Sequence, residues 1–138
     1  MNAYLDSSVI LRLVLGQRDR LREWKRVTRG VASALVEVEC LRTLDRLRLE
    51  EDLPEAEIAA RREAVFRLLE TAEIVDLTRP ILDRAAQPLP TTLGTLDAIH
   101  LVTALLWRDA SATDLVLATH DRSLALAARA CGLRTLGV

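Results

Sequence analysis

The sequence predicts an α/β protein: a three-layer α/β/α sandwich with a mainly parallel central sheet and an inserted helical hairpin. Short apolar runs with strand character alternate with longer stretches of helical periodicity, the pattern of strands joined through helical crossovers. Two of those strand-like runs finish beside an aspartate just before a helix, at Asp6 and Asp121. Two helical stretches, 34 to 49 and 55 to 71, follow each other through EEDLP with no strand between, which predicts the αα-hairpin.

In chain order, AYL at 3 to 5 is the first strand. Val9, Ile10, Leu11, Leu13, Val14 and Leu15 follow as an apolar helix, with Ser7 or Ser8 available to accept its first free N–H groups. GVAS at 30 to 33 is the second strand, and Leu35, Val38, Leu41 and Leu44 recur at helical spacing after it. Pro54 opens the next helix, and EIVDL at 73 to 77 is the third strand. QPLPTTLG at 87 to 94, with two prolines and a glycine, is a loop, and residues 95 to 107 return to helical periodicity. LVLAT at 115 to 119 and RTLGV at 134 to 138 are the last strands, around a helix over 122 to 131 that Gly132 closes as its C′ residue.

At 138 residues the chain fits one domain, 1 to 138, large enough to bury a real core without disulfides. Half of it is hydrophobic and 28% is charged, which excludes a disordered chain. Charges interrupt every apolar run before it could span a membrane, and MNAY runs straight into a strand with no leader character. A soluble, cytoplasmic protein is expected. Cys40 and Cys131 stand far apart among apolar helical residues, so they are expected to be reduced, buried thiols. The net charge of −1 does not advertise nucleic-acid binding, but Arg18, Arg20, Arg22, Lys25, Arg26 and Arg29 crowd one stretch. That cluster is either an RNA-facing patch or a solvated helix face.

The candidate chemistry lies in acids at strand ends and helix starts. Asp6 is either a helix cap or a working acid in the crevice beyond the carboxyl ends of the strands, where open α/β sheets bind ligands. Glu37 and Glu39 lie about 200° apart on their helix, so at most one faces inward. Asp97 lies in the first turn of an apolar helix, near the positive end of its dipole. Asp121 repeats the setting of Asp6. Parallel strands would bring these acids to one crevice, where they repel unless a cation shares it. Carboxylates suit Mg²⁺ or Mn²⁺, whereas the two histidines and two cysteines are too scattered for zinc. Such ions promote in-line displacement at a phosphodiester, so hydrolysis of a nucleic-acid backbone is expected.

YLDSSVILRLVLG, SALVEVECLRTL, TLDAIHLVTAL and LATHDRSLALAARACGL together resemble, in order and spacing, the PIN-domain ribonucleases, in particular the VapC-type toxins of bacterial toxin–antitoxin modules. The resemblance covers essentially the whole chain. It implies a metal-dependent endoribonuclease in which Asp6, Glu39, Asp97 and Asp121 surround Mg²⁺ or Mn²⁺. Glu39 is preferred to Glu37 because the family's acid lies six residues after a strand-end serine, here Ser33. Thr119, Ser7 and His100 are expected behind the acids, His100 either orienting Asp97 or sitting as a satisfied core histidine. Arg12 is expected on site acids or RNA phosphate. His120 stands where the family has an aromatic residue and is expected in a structural or rim role, and Asp114 as a turn acid. The resemblance further implies a VapB-like antitoxin, a tRNA or rRNA substrate, no membrane, and a homodimer or toxin–antitoxin hetero-oligomer.

The alternative is a catalytically inactive PIN module that binds RNA or a protein. The presence of all four acids argues against it. Phosphoryl transfer on a haloacid-dehalogenase-like or receiver-like fold fits less well. The first wants a second Asp where Ser8 stands, and the second wants a late lysine, whereas Lys25 is the only lysine.

Overall fold

A computed structural model describes residues 1–138. Strands β1 (Asn2–Leu5), β2 (Arg29–Ser33), β3 (Ala72–Val75), β4 (Val116–Ala118) and β5 (Arg134–Leu136) form one sheet in the order β3-β2-β1-β4-β5. All four pairings are parallel, so the expected mainly parallel sheet is wholly so. Helices α1 (Ser7–Val14), α2 (Leu35–Glu51), α3 (Glu55–Glu70), α4 (Arg79–Ala85), α5 (Thr95–Ser111) and α6 (Arg122–Ala130) complete the sandwich.

The period-two alternation of the central strands divides the core in two. Ala3 and Leu5 of β1, with Val116 and Ala118 of β4, pack against Ile10 of α1, Val36 and Leu44 of α2 and Val65 of α3. Tyr4 and Leu117 point the other way, onto Leu101 and Leu105 of α5 and Leu124 of α6. Both faces of β1 and β4 are covered, which is why these strands read as unbroken apolar runs. Each leucine or isoleucine fully buried here contributes about 1.5–3 kcal/mol.

The helical hairpin turns through Asp52, which takes the left-handed conformation at φ +49°. An aspartate tolerates that better than most side chains. Gly132 takes φ +79° just beyond α6, as its C′ position requires.

Three local expectations need correction. Residues 79–85 form the short helix α4, which the sequence reading left unassigned. It buries only Ile81, so it carries almost no apolar periodicity, although Pro80 sits in its first turn. The 18 to 29 stretch is not a helix face: apart from the 3₁₀ turn Arg22–Arg26 and the start of β2 it is irregular. Neither Ser7 nor Ser8 caps α1; Asp6 occupies the N-cap position and both serines lie inside the helix. No helix is long and apolar enough to cross a membrane.

The topology positions the site. From β1 the chain runs to β2 and β3 on one side, then crosses to β4 on the other. The direction reverses between β1 and β4, and a parallel sheet opens its ligand crevice beyond the carboxyl ends of such a pair. Asp6 follows β1, and Thr119 to Asp121 follow β4.

Candidate active site

Asp6 is 4% exposed, and its N–H donates to the carbonyl of Ala118 at 3.1 Å, which extends the β1–β4 pairing. Its backbone is extended as an N-cap requires, yet its carboxylate makes no capping bond. Instead Oδ2 accepts from Ser8 Oγ at 2.6 Å and from Thr119 Oγ1 at 2.8 Å. Both hydroxyls are engaged a second time: Ser8 Oγ accepts from the His120 N–H at 3.0 Å, and Thr119 Oγ1 from the Asp121 N–H at 2.9 Å. One oxygen of Asp6 is therefore fixed by two donors. The other, Oδ1, lies 3.8 Å from His100 Nε2. The hydroxyl on Asp6 was expected from Ser7; it belongs to Ser8, because the first helical turn returns residue i+2 of the cap to the carboxylate.

Asp121 is the N-cap residue of α6, and its Oδ1 accepts from the Leu124 N–H at 2.9 Å. The structural role considered for Asp6 is thus filled by Asp121, with one oxygen. Asp97, in the first turn of α5, makes no side-chain hydrogen bond within the protein. Partial burial, then the charges of Asp121 and Asp6, push its pKa from 3.8 to about 6, with Glu39 adding to the rise and His100 opposing it. Asp97 therefore feels the surplus negative potential of the crevice directly.

Glu39 turns inward from α2, its side chain 20% exposed, while Glu37 is exposed to solvent. Its Oε1 lies 2.5 Å from His100 Nε2, and His100 Nδ1 lies 2.7 Å from the Tyr4 hydroxyl. His100 is fully buried. Burial disfavours its charge, but the Glu39 hydrogen bond and the fields of Asp6, Glu39 and Asp97 outweigh that and raise its pKa. Burial, reinforced by Asp6, keeps the Tyr4 phenol protonated, well above its usual range. His100 therefore serves Glu39 rather than Asp97. Tyr4 went unnoticed in the sequence, and the signal available was a tyrosine in a strand buried on both faces, where its hydroxyl needs a partner.

Arg12 forms no ion pair with Asp6, Glu39, Asp97 or Asp121. It pairs with Asp19 Oδ2 at 2.6 Å and also donates to the Asp19 carbonyl at 3.2 Å. Asp114 is an exposed loop acid bound by Arg134 at 2.5 Å. His120 donates through Nδ1 to the Gly137 carbonyl at 2.8 Å.

Cys40 lies on the same helix as Glu39. Burial, with the charges of Glu39 and Asp6, pushes its thiol up to about 12. Since the thiolate is the reactive form, native protein treated with a disulfide reagent at pH 8 is expected to release one equivalent promptly, from half-buried Cys131. The second should appear only on unfolding. Two equally prompt equivalents would contradict this.

Oxygen donors and uncompensated negative charge suit a hard divalent cation. No three acidic, histidine or cysteine side chains stand grouped as ligands of one ion in this arrangement. Mg²⁺ needs no closed cage, since it commonly takes one or two carboxylates and keeps several waters. The residues fit such an ion in that open manner.

A wholly parallel α/β/α sandwich with an acidic crevice over its topological switch defines the class: an open-sheet α/β protein whose candidate site lies beyond the carboxyl ends of β1 and β4. The chain belongs to the PIN-domain family, whose model matches residues 3–130. It is 38% identical over 104 residues to Ribonuclease VapC46 of Mycobacterium tuberculosis, covering 73% of this chain and 72% of that protein. Its fold is similar to a toxin–antitoxin complex from Klebsiella pneumoniae, with a TM-score of 0.65 at 20% identity and 91% of each chain covered. A crystal structure from Pyrobaculum aerophilum matches with a TM-score of 0.64 at 18% identity, covering 98% of this chain and 89% of that one.

Proposed function

We propose that this chain is a Mg²⁺- or Mn²⁺-dependent endoribonuclease, the toxin of a toxin–antitoxin pair, cutting phosphodiester bonds of structured cellular RNA such as tRNA or rRNA. The observation that carries this is the uncompensated acidic crevice at the β1–β4 switch, where Asp97 is pushed up to about 6 by burial and by neighbouring carboxylates. The relative bearing the name ribonuclease supports the same reaction class.

Asp6, Glu39, Asp97 and Asp121 would surround the ion, one or two of them binding it directly and the others through its waters. When bound, it supplies Lewis acidity toward the phosphodiester oxygens and the attacking water. The protein's own part is preorganisation. Ser8 and Thr119 hold one oxygen of Asp6 and leave the other toward the crevice, while His100, itself held by Tyr4, keeps Glu39 turned inward. Residues 1 to 138 act as one cytoplasmic domain, as a homodimer or with a VapB-like antitoxin. The fold neighbour titled a toxin–antitoxin complex makes that antitoxin the partner to seek.

The test is incubation of antitoxin-free protein with total cellular RNA in Mg²⁺ or Mn²⁺, with an EDTA control, followed by mapping of new 5′ ends. Discrete metal-dependent cuts are expected. Cutting that persists in EDTA, or none at all from protein shown to be folded, would overturn the proposal.

A further inference from the structure

Beside the acidic crevice lies a second pocket of about 390 Å³, lined by Arg12, Arg18, Arg20, Arg22, His120 and Gly137 among others. Its charge is uneven. Asp19 and Glu23 also line it, but Asp19 is engaged by Arg12 at 2.6 Å. Arg18, Arg20 and Arg22 form no ion pair with any carboxylate, whereas most other arginines of the chain do. Three unpaired guanidiniums at one pocket, in a chain of net charge −1, make a local anion site.

The pocket shares a wall with the crevice. His120 lines it, and the His120 N–H donates to Ser8 Oγ, which in turn donates to Asp6. That wall is fixed from behind. His120 Nδ1 donates to the Gly137 carbonyl, and Gly137 lies so close to the end of β4 that a Cβ there would clash with the Thr119 carbonyl. With φ +98° as well, only glycine fits that position.

We propose that this pocket is a phosphate subsite: Arg18, Arg20 and Arg22 hold a backbone phosphodiester of RNA one or more nucleotides from the bond that is cut. This deepens the nuclease reading and rests on it for the identity of the polyanion. The 3₁₀ turn and the loop before it carry the guanidiniums, while the ends of β1 and β4 and the helices α2 and α5 carry the acids, so binding and chemistry come from different elements. The strand would run from the basic pocket past the His120 wall into the crevice.

The test uses full-length protein carrying Arg18→Gln, Arg20→Gln and Arg22→Gln together, with thermal unfolding to confirm the fold. Binding of a single-stranded RNA oligonucleotide is followed in EDTA as salt is raised, and cleavage is measured separately in Mg²⁺. Each phosphate contact contributes about 0.7 to the slope of log K against log salt for single strands, so the triple variant should lose about 2 from that slope. KM should rise several-fold while kcat is retained. An unchanged slope and KM in the variant, with normal cleavage by the wild type, would overturn the subsite and leave the nuclease standing. A reduced slope in a protein that never cuts would uphold the subsite and sink the nuclease instead.

Discussion

Asp6→Asn is expected to lower metal-dependent RNA cleavage by about 100-fold or more while leaving the protein folded. Asparagine keeps the shape of the side chain and one acceptor oxygen, so the Ser8 and Thr119 hydroxyls, at 2.6 and 2.8 Å, retain their target. What disappears is the negative charge on the oxygen turned toward the crevice, replaced by an amide that donates and cannot ligate a cation. Removing a mere partner of a metal ligand typically costs roughly 10- to 100-fold, and loss of a direct carboxylate costs more. Initial rates in Mg²⁺ and in Mn²⁺, read beside circular dichroism of each protein, decide the matter. A folded variant within tenfold of wild type would remove Asp6 from the chemistry.

Asp97→Asn is expected to abolish cleavage and, unusually for an inactivating change, to stabilise the protein at neutral pH in the absence of divalent ions. The folded-state pKa of about 6 lies above the ordinary 3.8, so the folded protein binds this proton more tightly than the unfolded chain. Stability therefore falls as pH rises from about 4 through about 6, and the penalty persists unchanged above that. The shift corresponds to about 3 kcal/mol, which solvent screening around a partly exposed group reduces to roughly 1–3 kcal/mol. Asparagine has no charge to impose it. The variant should consequently unfold at a higher temperature than wild type at pH 8, with the gap narrowing toward pH 4.5. Added Mg²⁺ should raise the wild type and leave the variant almost unmoved, since a ligand stabilises only the state that binds it. A variant less stable than wild type at pH 8 would mean that Asp97 is held by contacts other than this repulsion.

The acids of the crevice also mark what the sequence could and could not convey. A strand end followed by a helix start is a local pattern, so Asp6 and Asp121 were legible as strand-end acids, and parallel pairing explains why they meet. Helical geometry allowed only one of Glu37 and Glu39 to face inward. Thr119 and His100 were legible as neighbours of the acids, but the chain from Tyr4 through His100 to Glu39 was not, because Tyr4 and His100 are 96 residues apart and His100 and Glu39 are 61 apart. No spacing rule spans such gaps. Ser7 and Ser8 were indistinguishable in sequence because the choice depends on how far the first helical turn rotates before meeting the carboxylate. The run from Arg18 to Arg29 was read as a possible helix face because charge carries no period of its own, and only the 3₁₀ turn shows where its arginines gather.

The order of the strands in the sheet governs when the crevice can first assemble. β1 is made early, yet its partner across the switch is β4, with Tyr4 opposite Leu117. Until that late strand emerges from the ribosome, Asp6 has neither Thr119 to hold it nor Asp121 beside it, and α5 has no finished floor on which to present Asp97. Pairings between such distant segments form late and slowly. A partial chain that stops before β4 therefore holds Asp6, Glu39 and Asp97 without the crevice, and the site assembles only once β4 has joined β1.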